Sequence, residues 1–256
     1  MAVLLEPGAA EKLAPLVKGW EETLIWSVLQ GCMGQAWADR LADPTAGQLV
    51  VGDFCFLAGR PDPELVRHWP EGRRFLLVVP QTEDWSPLVE EAYGSSARRR
   101  LRYAFHKEPD AFDRPRLERL AAALPDGCEL CPIQGPWYER AMTEDWSKDL
   151  CGQFEDGADY ARRGIGVCAV CRGELVAGAS SYTVYRGGIE IEIDTKPAFR
   201  RQGLARACGA RLILDCLDRG LYPSWDAQNP WSAALAEQLG YRFSHTYPVY
   251  EIEREG

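Results

Sequence analysis

The stretch Ile189-Glu190-Ile191-Glu192-Ile193-Asp194-Thr195, followed by Arg200-Arg201-Gln202-Gly203-Leu204-Ala205 and an amphipathic run to Gly220, decides how this chain is read. Strict alternation marks residues 189–195 as a strand, with three isoleucines on one face and Glu190, Glu192 and Asp194 on the other. Ala210, Ile213, Leu214 and Leu217 then recur at the spacing of one buried helical face, and Gly220 stands where a helix C′ residue belongs. A strand that feeds a short basic, glycine-bearing turn and then a helix leaves the amides of Gln202, Gly203, Leu204, Ala205 and Arg206 at the positive end of a helix dipole. Such a turn is an anion site suited to a diphosphate. Gly203 lets the backbone come close, and Ala205 is the smallest alternative that still favours helix. Taken alone, the hexapeptide is equally an ordinary basic helix start.

The flanking sequence extends this order in both directions. Residues 165–170 and 174–185 surround Arg172-Gly173, a hairpin signature, and Gly187-Gly188 turns the chain into the strand at Ile189. Before them, residues 129–133 read as a strand and 137–148 as a helix, followed by acidic sequence through Asp159. After Gly220, residues 221–225 read as a short strand that Pro223 confines to an edge or an end. Asn229-Pro230 is an N-cap followed by proline at the first helical position, Leu235 and Leu239 mark the buried face, and Gly240 stops the helix.

Two motifs in this order resemble the GCN5-related N-acetyltransferase superfamily. Arg200, Gly203 and Ala205 match its acyl-CoA motif in register, and Asn229, Ser232, Leu235, Leu239, Gly240 and Tyr241 resemble its later motif. The resemblance covers the chain from about Cys128 onward, and the wording around Trp225-Asp226-Ala227 is similar to a bacterial subgroup that carries an additional N-terminal α/β domain. It implies an α/β (α+β) fold, a mixed, mostly antiparallel sheet flanked by helices. It also implies acetyl-CoA (coenzyme A) as donor, a small cationic primary amine as acceptor, and direct attack in a ternary complex. By the same resemblance, the backbone of Ile193, Asp194 and Thr195 pairs with the pantetheine amides. The turn from Arg200 and Arg201 through Gln202, Gly203, Leu204, Ala205 and Arg206 holds the diphosphate, and Asn229 and Ser232 contact the cofactor.

An amine with a reference pKa near 10 is almost wholly protonated at neutral pH, so a base is useful. Glu190 and Glu192 are the candidates, Glu190 preferred for its distance from Arg200; a solvated acidic strand face is the plainer account. Many superfamily members carry a Tyr seven residues after the Asn to protonate the departing thiolate, and here that position is Ala236. A thiolate with a reference pKa near 8.5 is a tolerable leaving group, so no general acid is assigned. The missing Tyr also keeps open an alternative, an inactive acyl-CoA-binding sensor. The acidic and aromatic residues from Trp137 to Asp159, including Glu144, Asp145, Asp149 and Asp156, stand where the superfamily lines its acceptor pocket. A solvated loop accounts for them equally well.

With 256 residues and 46% hydrophobic content, the chain has material for two cores, and Pro125-Asp126-Gly127 places a join between an α/β domain at 1–125 and an acetyltransferase domain at 126–256. The first domain is open to being a degenerate copy of the same fold. In it, residues 10–20, 21–29, 85–93 and 116–124 read as helices, and 49–57 and 74–79 as strands. Glu6 and Pro7 end the apolar start, and no stretch approaches a membrane span, so a cytoplasmic protein without membrane contact is expected. Nine cysteines fit reduced thiols, and neither Cys128-x-x-Cys131 nor Cys168-x-x-Cys171 is expected to bind metal, since strand parity splits the second pair. A net charge of −9 argues against nucleic acid despite the basic cluster at residues 98–107, which reads as an exposed segment or a second wall of the cofactor cleft. A monomer or homodimer is expected.

Overall fold

A computed structural model describes residues 2–254. The chain forms two compact units, one of Met1–Arg102 with Thr246–Gly256, the other of Tyr103–His245. The first contains β1 (Val3–Leu4), α1 (Thr23–Leu29), β2 (Gln35–Ala38), β3 (Ala46–Val51), β4 (Phe54–Gly59), α2 (Pro63–Arg67), β5 (Phe75–Pro80), α3 (Ser86–Tyr93) and most of β6 (Arg98–Phe105). The second contains α4 (Arg114–Ala122), β7 (Cys128–Pro132), α5 (Pro136–Ala141), α6 (Gly157–Arg163), β8 (Gly166–Cys171), β9 (Glu174–Tyr185), β10 (Gly188–Thr195), α7 (Leu204–Asp218), β11 (Tyr222–Ser224), β12 (Asp226–Ala227) and α8 (Pro230–Leu239). The last strand, β13 (Phe243–Glu253), begins in the second unit and ends in the first.

In the first unit the strands run in the order β1-β2-β3-β4-β5-β13, antiparallel except for the β4/β5 pair. Residues 49–57, expected as one strand, are parts of two. Gly52 takes φ +55°, and the two-residue turn Gly52-Asp53 sets Val51 opposite Phe54. Residues 10–20, expected as a helix, hold a single 3-10 turn, Ala10–Leu13. Pro15 brings no N–H to a continuing helix, and Gly19 sits at φ +81°. Trp37, Leu57, Leu65, Val78, Trp85, Tyr250 and Ile252 form the core. The basic run is β6, and its charges are used within this unit: Arg99 pairs with Glu83, Arg100 with Glu251, and Arg102 lies 4.8 Å from the Phe54 ring centre.

The second unit is built on a sheet in the order β11-β10-β9-β8-β7, antiparallel except for β10/β11. Helix α7 carries Ala207, Ala210, Ile213 and Leu214 buried against the sheet, and α4 packs on α7. The turn at Pro125-Asp126-Gly127 joins α4 to β7 inside this unit. The helix expected over 137–148 ends early, at Ala141, because the Ser147 hydroxyl donates to the Ala141 carbonyl (2.7 Å) and closes a turn in its place. Register also corrects the expectation of nine reduced cysteines. Cys128 and Cys171 are opposite residues of β7 and β8, on one face, and their sulfurs are bonded. Cys131 and Cys168 form the next cysteine pair along the ladder, on the other face, so each C-x-x-C motif is divided between two faces.

Candidate active site

The site begins where two parallel strands part. Strand β10 pairs with β11 only as far as Glu190 opposite Ser224. Two residues later β12 pairs with β6 instead, Asp226 opposite Ala104 and Ala227 opposite Tyr103. Among the described residues, no strand covers residues 191–195 on that side, so β10 has an open edge below a fork. The Lys196 N–H bonds the Val176 carbonyl on β9 (2.9 Å). Antiparallel alternation then turns the N–H and C=O of Asp194 and Glu192 toward β9, and those of Thr195, Ile193 and Ile191 toward the open edge. The Thr195 N–H donates to Asp194 Oδ1 (2.6 Å), and its carbonyl accepts from Arg200 Nε (3.1 Å). The backbone groups of Ile191 and Ile193 remain directed into the opening. Of the three residues expected there, Ile193 faces the opening without such a bond, Asp194 faces β9, and Thr195 faces the opening with its N–H and carbonyl already bonded; Ile191, which was not among them, faces the opening by strand parity.

Arg200, Arg201, Gln202 and Gly203 follow as the turn into α7. Arg201 takes φ +63° and Gly203 φ +84°. The N-cap Gly203 offers no side-chain bond, and the helix ladder begins with the Ala207 N–H to the Gly203 carbonyl (3.0 Å). The amides of Leu204, Ala205 and Arg206 therefore form a first turn that no cap side chain fills, the feature an anion needs. A side chain at Gly203 meets little obstruction, its nearest neighbour being Arg206 Nη2 at 3.6 Å from a built Cβ, but the left-handed backbone is costly for any L residue. Arg206 itself donates to Gln238 Oε1 on α8 (3.3 Å).

The two faces of β10 differ as alternation predicts. Ile193 lies toward α7, its Cδ1 3.4 Å from where a Cβ on Gly209 would stand. Glu190 is 5% exposed, opposite Thr183 on β9 and Ser224 on β11, with Tyr185 and Tyr222 on the same face. Burial pushes the Tyr222 phenol up to about 12 and raises Tyr185 as well, with the Glu190 charge contributing to both. These phenols stay protonated at neutral pH. Thr183 Oγ1 is buried with no hydrogen-bond partner among the described residues. Glu192 is half-buried opposite Ser180, whose hydroxyl lies 2.7 Å from the Tyr160 hydroxyl. On this face the Asp194 carboxyl is raised, first by burial and then by the neighbouring Asp149 charge, while the Thr195 amide and Arg200 act in the opposite direction.

Asn229 and Ser232 have structural partners of their own. Asn229 Oδ1 accepts from the Ser232 N–H (2.9 Å) as the cap of α8, and Ser232 Oγ accepts from Trp225 Nε1 (3.2 Å). Ala236 is fully buried, so no hydroxyl stands at that point of α8. Most carboxylates of the segment expected to line the acceptor pocket are also engaged. Glu144 accepts from Trp146 Nε1 (2.8 Å) and Lys196 (2.9 Å), Asp145 pairs with Lys148, Asp156 caps α6, and Asp159 holds Arg162 and Arg163.

An open strand edge beside an uncapped helix start suits a long ligand with amides at one end and a diphosphate at the other, which is the chemistry of an acyl-CoA. Comparison with known proteins agrees. The sequence model described as GNAT acetyltransferase matches residues 14–250, a span that takes in far more than the half carrying the motifs. An uncharacterized N-acetyltransferase of Bacillus subtilis (strain 168), YdfB, is 24% identical over 203 residues, 76% of this chain and 71% of that protein. The crystal structure of a GCN5-related N-acetyltransferase-like protein from Streptococcus suis 89/1591 is 42% identical, with a TM-score of 0.91 over 96% of this chain and 98% of that one. A tandem GNAT protein from the clavulanic acid biosynthesis pathway shares the fold, at 13% identity and a TM-score of 0.55 over 100% and 99% of the two chains. The chain belongs to the GNAT acetyltransferase family and is an N-acetyltransferase whose acetyl donor is acetyl-CoA.

Proposed function

We propose that this enzyme transfers the acetyl group to a primary amine of a small cationic acceptor, by direct attack with both substrates bound. The fork carries the reading, because it joins backbone donors, an anion turn and a buried carboxylate within one strand and the turn after it. The turn of Arg200, Arg201, Gln202, Gly203, Leu204, Ala205 and Arg206 would hold the diphosphate, and the free amides of Ile193 and Ile191 would meet the pantetheine arm and the acyl oxygen. When bound, acetyl-CoA supplies a thioester carbonyl with a thiolate leaving group.

The protein's own work is then proton transfer and charge placement. Glu190, sealed on the face opposite α7, takes the proton that an ammonium must lose before it attacks, directly or through a water. A strand N–H stabilises the oxyanion that forms, so no covalent enzyme intermediate is needed. Glu192, Asp194 and Asp149 lend the same face negative charge, which favours a cationic acceptor. We assign this chemistry to residues 126–256, where every one of these side chains and amides lies.

Calorimetric titration with acetyl-CoA tests the donor site, and thiol release across a panel of amines tests the acceptor. Wild-type protein should bind acetyl-CoA, and Gly203→Val should weaken binding at least ~100-fold, since strain and bulk both fall on the diphosphate turn. Wild-type protein that shows no heat at millimolar acetyl-CoA removes the reading.

A further inference from the structure

One residue, Trp225, stands between the last residue of β11 bonded to β10, Ser224, and the first residue of β12 bonded to β6, Asp226. The backbone leaves β10 at that residue, so Trp225 is the vertex of the fork. The residue is 3% exposed. The ring centre lies 5.5 Å from that of Tyr241, and Cζ3 reaches α7 at Gly209, where a built Cβ would come within 3.9 Å of it. A buried indole N–H needs an acceptor, and Trp225 Nε1 finds it in Ser232 Oγ at 3.2 Å. The Ser232 N–H in turn donates to Asn229 Oδ1 at 2.9 Å. Two hydrogen bonds thus connect the vertex to the cap of α8.

We propose that Trp225 is a positioning residue for acetyl-CoA. Its ring keeps the two strands parted, and its N–H fixes the first turn of α8, and with it Asn229 and Ser232, relative to the open edge of β10. A residue that only filled the core would act through its volume. Here the indole N–H has a separate task, because Ser232 Oγ is held by Trp225 and its backbone by Asn229. The phosphate turn at Arg200 to Arg206 opens α7 and is tied to α8 by Arg206 and Gln238, a bond separate from the one between Trp225 and Ser232. The inference rests on the acetyl-CoA cleft proposed above.

The test is calorimetry on the full chain, comparing acetyl-CoA with adenosine 3′,5′-bisphosphate, which carries phosphates and no pantetheine arm. Trp225→Phe keeps a ring and loses the donor; Ser232→Ala, on the partly exposed α8, removes the acceptor with little demand on folding. Each variant should weaken acetyl-CoA ~10-fold, the scale of one hydrogen bond, and leave the bisphosphate within about twofold. The double variant should be no weaker than either single one, because both remove the same bond. Acetyl-CoA affinity unchanged in Trp225→Phe overturns the proposal, and so does an equal loss for both ligands, which would mean general loosening. Wild-type protein that binds no acetyl-CoA at all is a different result, and removes the underlying reading with it.

Discussion

At the scale of single residues, alternation along β10 does most of the chemical sorting. It sends Ile189, Ile191 and Ile193 to the face that α7 covers, and Glu190, Glu192 and Asp194 to the other. The same alternation, applied to the backbone, separates the amides that face β9 from those that face the opening. Ile191 therefore presents its amide to the opening with a carboxylate on either side of it in sequence. The two carboxylates are not equivalent: Glu190 is buried between Thr183 and Ser224, whereas Glu192 is half-buried. If Glu190 is the base, Glu190→Gln should lower kcat by roughly 10²–10⁴ and leave acetyl-CoA affinity within about twofold, the range typical of a lost general base. Glu192→Gln should cost less than about tenfold in kcat. Steady-state rates with saturating acetyl-CoA check both, and the reverse order of losses would move the role to Glu192.

Whole elements show what local sequence carries and what it omits. The cap of α8 is local: Asn229, Pro230 and Gly240 stand where chain chemistry puts them, with Gly240 at φ +111°. Asn229→Ala should therefore lower stability by ~1 kcal/mol, the usual value of an N-cap, read as a shift in urea midpoint. Helix α6 gives a pH signature. The Asp159 carboxyl is held well below the usual range, chiefly by the Arg163 hydrogen bond and further by Arg162, against the opposing effect of burial. A depressed folded pKa contributes stability that is present above the unfolded value of 3.8 and is lost as pH falls below it, because the unfolded chain then binds a proton that the folded chain does not. Urea midpoints should fall as pH drops from about 5 toward 2, and Asp159→Asn should flatten that slope. The hairpin β8/β9, helix α7 and the acidic strand were legible for the same reason as the cap, since turn residues and periodicity lie within each. Strand β6 was not, because Arg98-Arg99-Arg100 reads as a solvated charge run and becomes a strand only by long-range pairing. The fork was illegible too: it depends on Asp226 meeting Ala104, a partner no local pattern names. So the strand, turn and helix that flank the opening could be read from the sequence, while the opening itself could not.

At the scale of the molecule, the order of assembly is not the order of the chain. The first unit takes its sixth strand from the C-terminal end, after the second unit is complete in sequence. Residues 250–253 pair with β5, Tyr250 opposite Val78 and Ile252 opposite Leu76. Both side chains are almost fully buried, and the Tyr250 hydroxyl donates to Glu90 Oε1 (2.8 Å). The family match takes in most of the first unit and reaches residue 250, where the returning pairing begins, so it is not confined to the motif-bearing half. A chain ended at His245 would leave β5 as an open apolar edge over an incomplete core, which is a template for aggregation. Ile252→Ala tests the same packing without removing the strand, and should cost about 2–5 kcal/mol for a large-to-small change in a core. In the truncated chain, hydrogen exchange should find the amides of β5 unprotected and the first unit without a cooperative urea transition. Protection of β5 at wild-type levels in that chain would show that Met1–Arg102 folds without its returning strand, and that the C-terminal segment only decorates a sheet already formed.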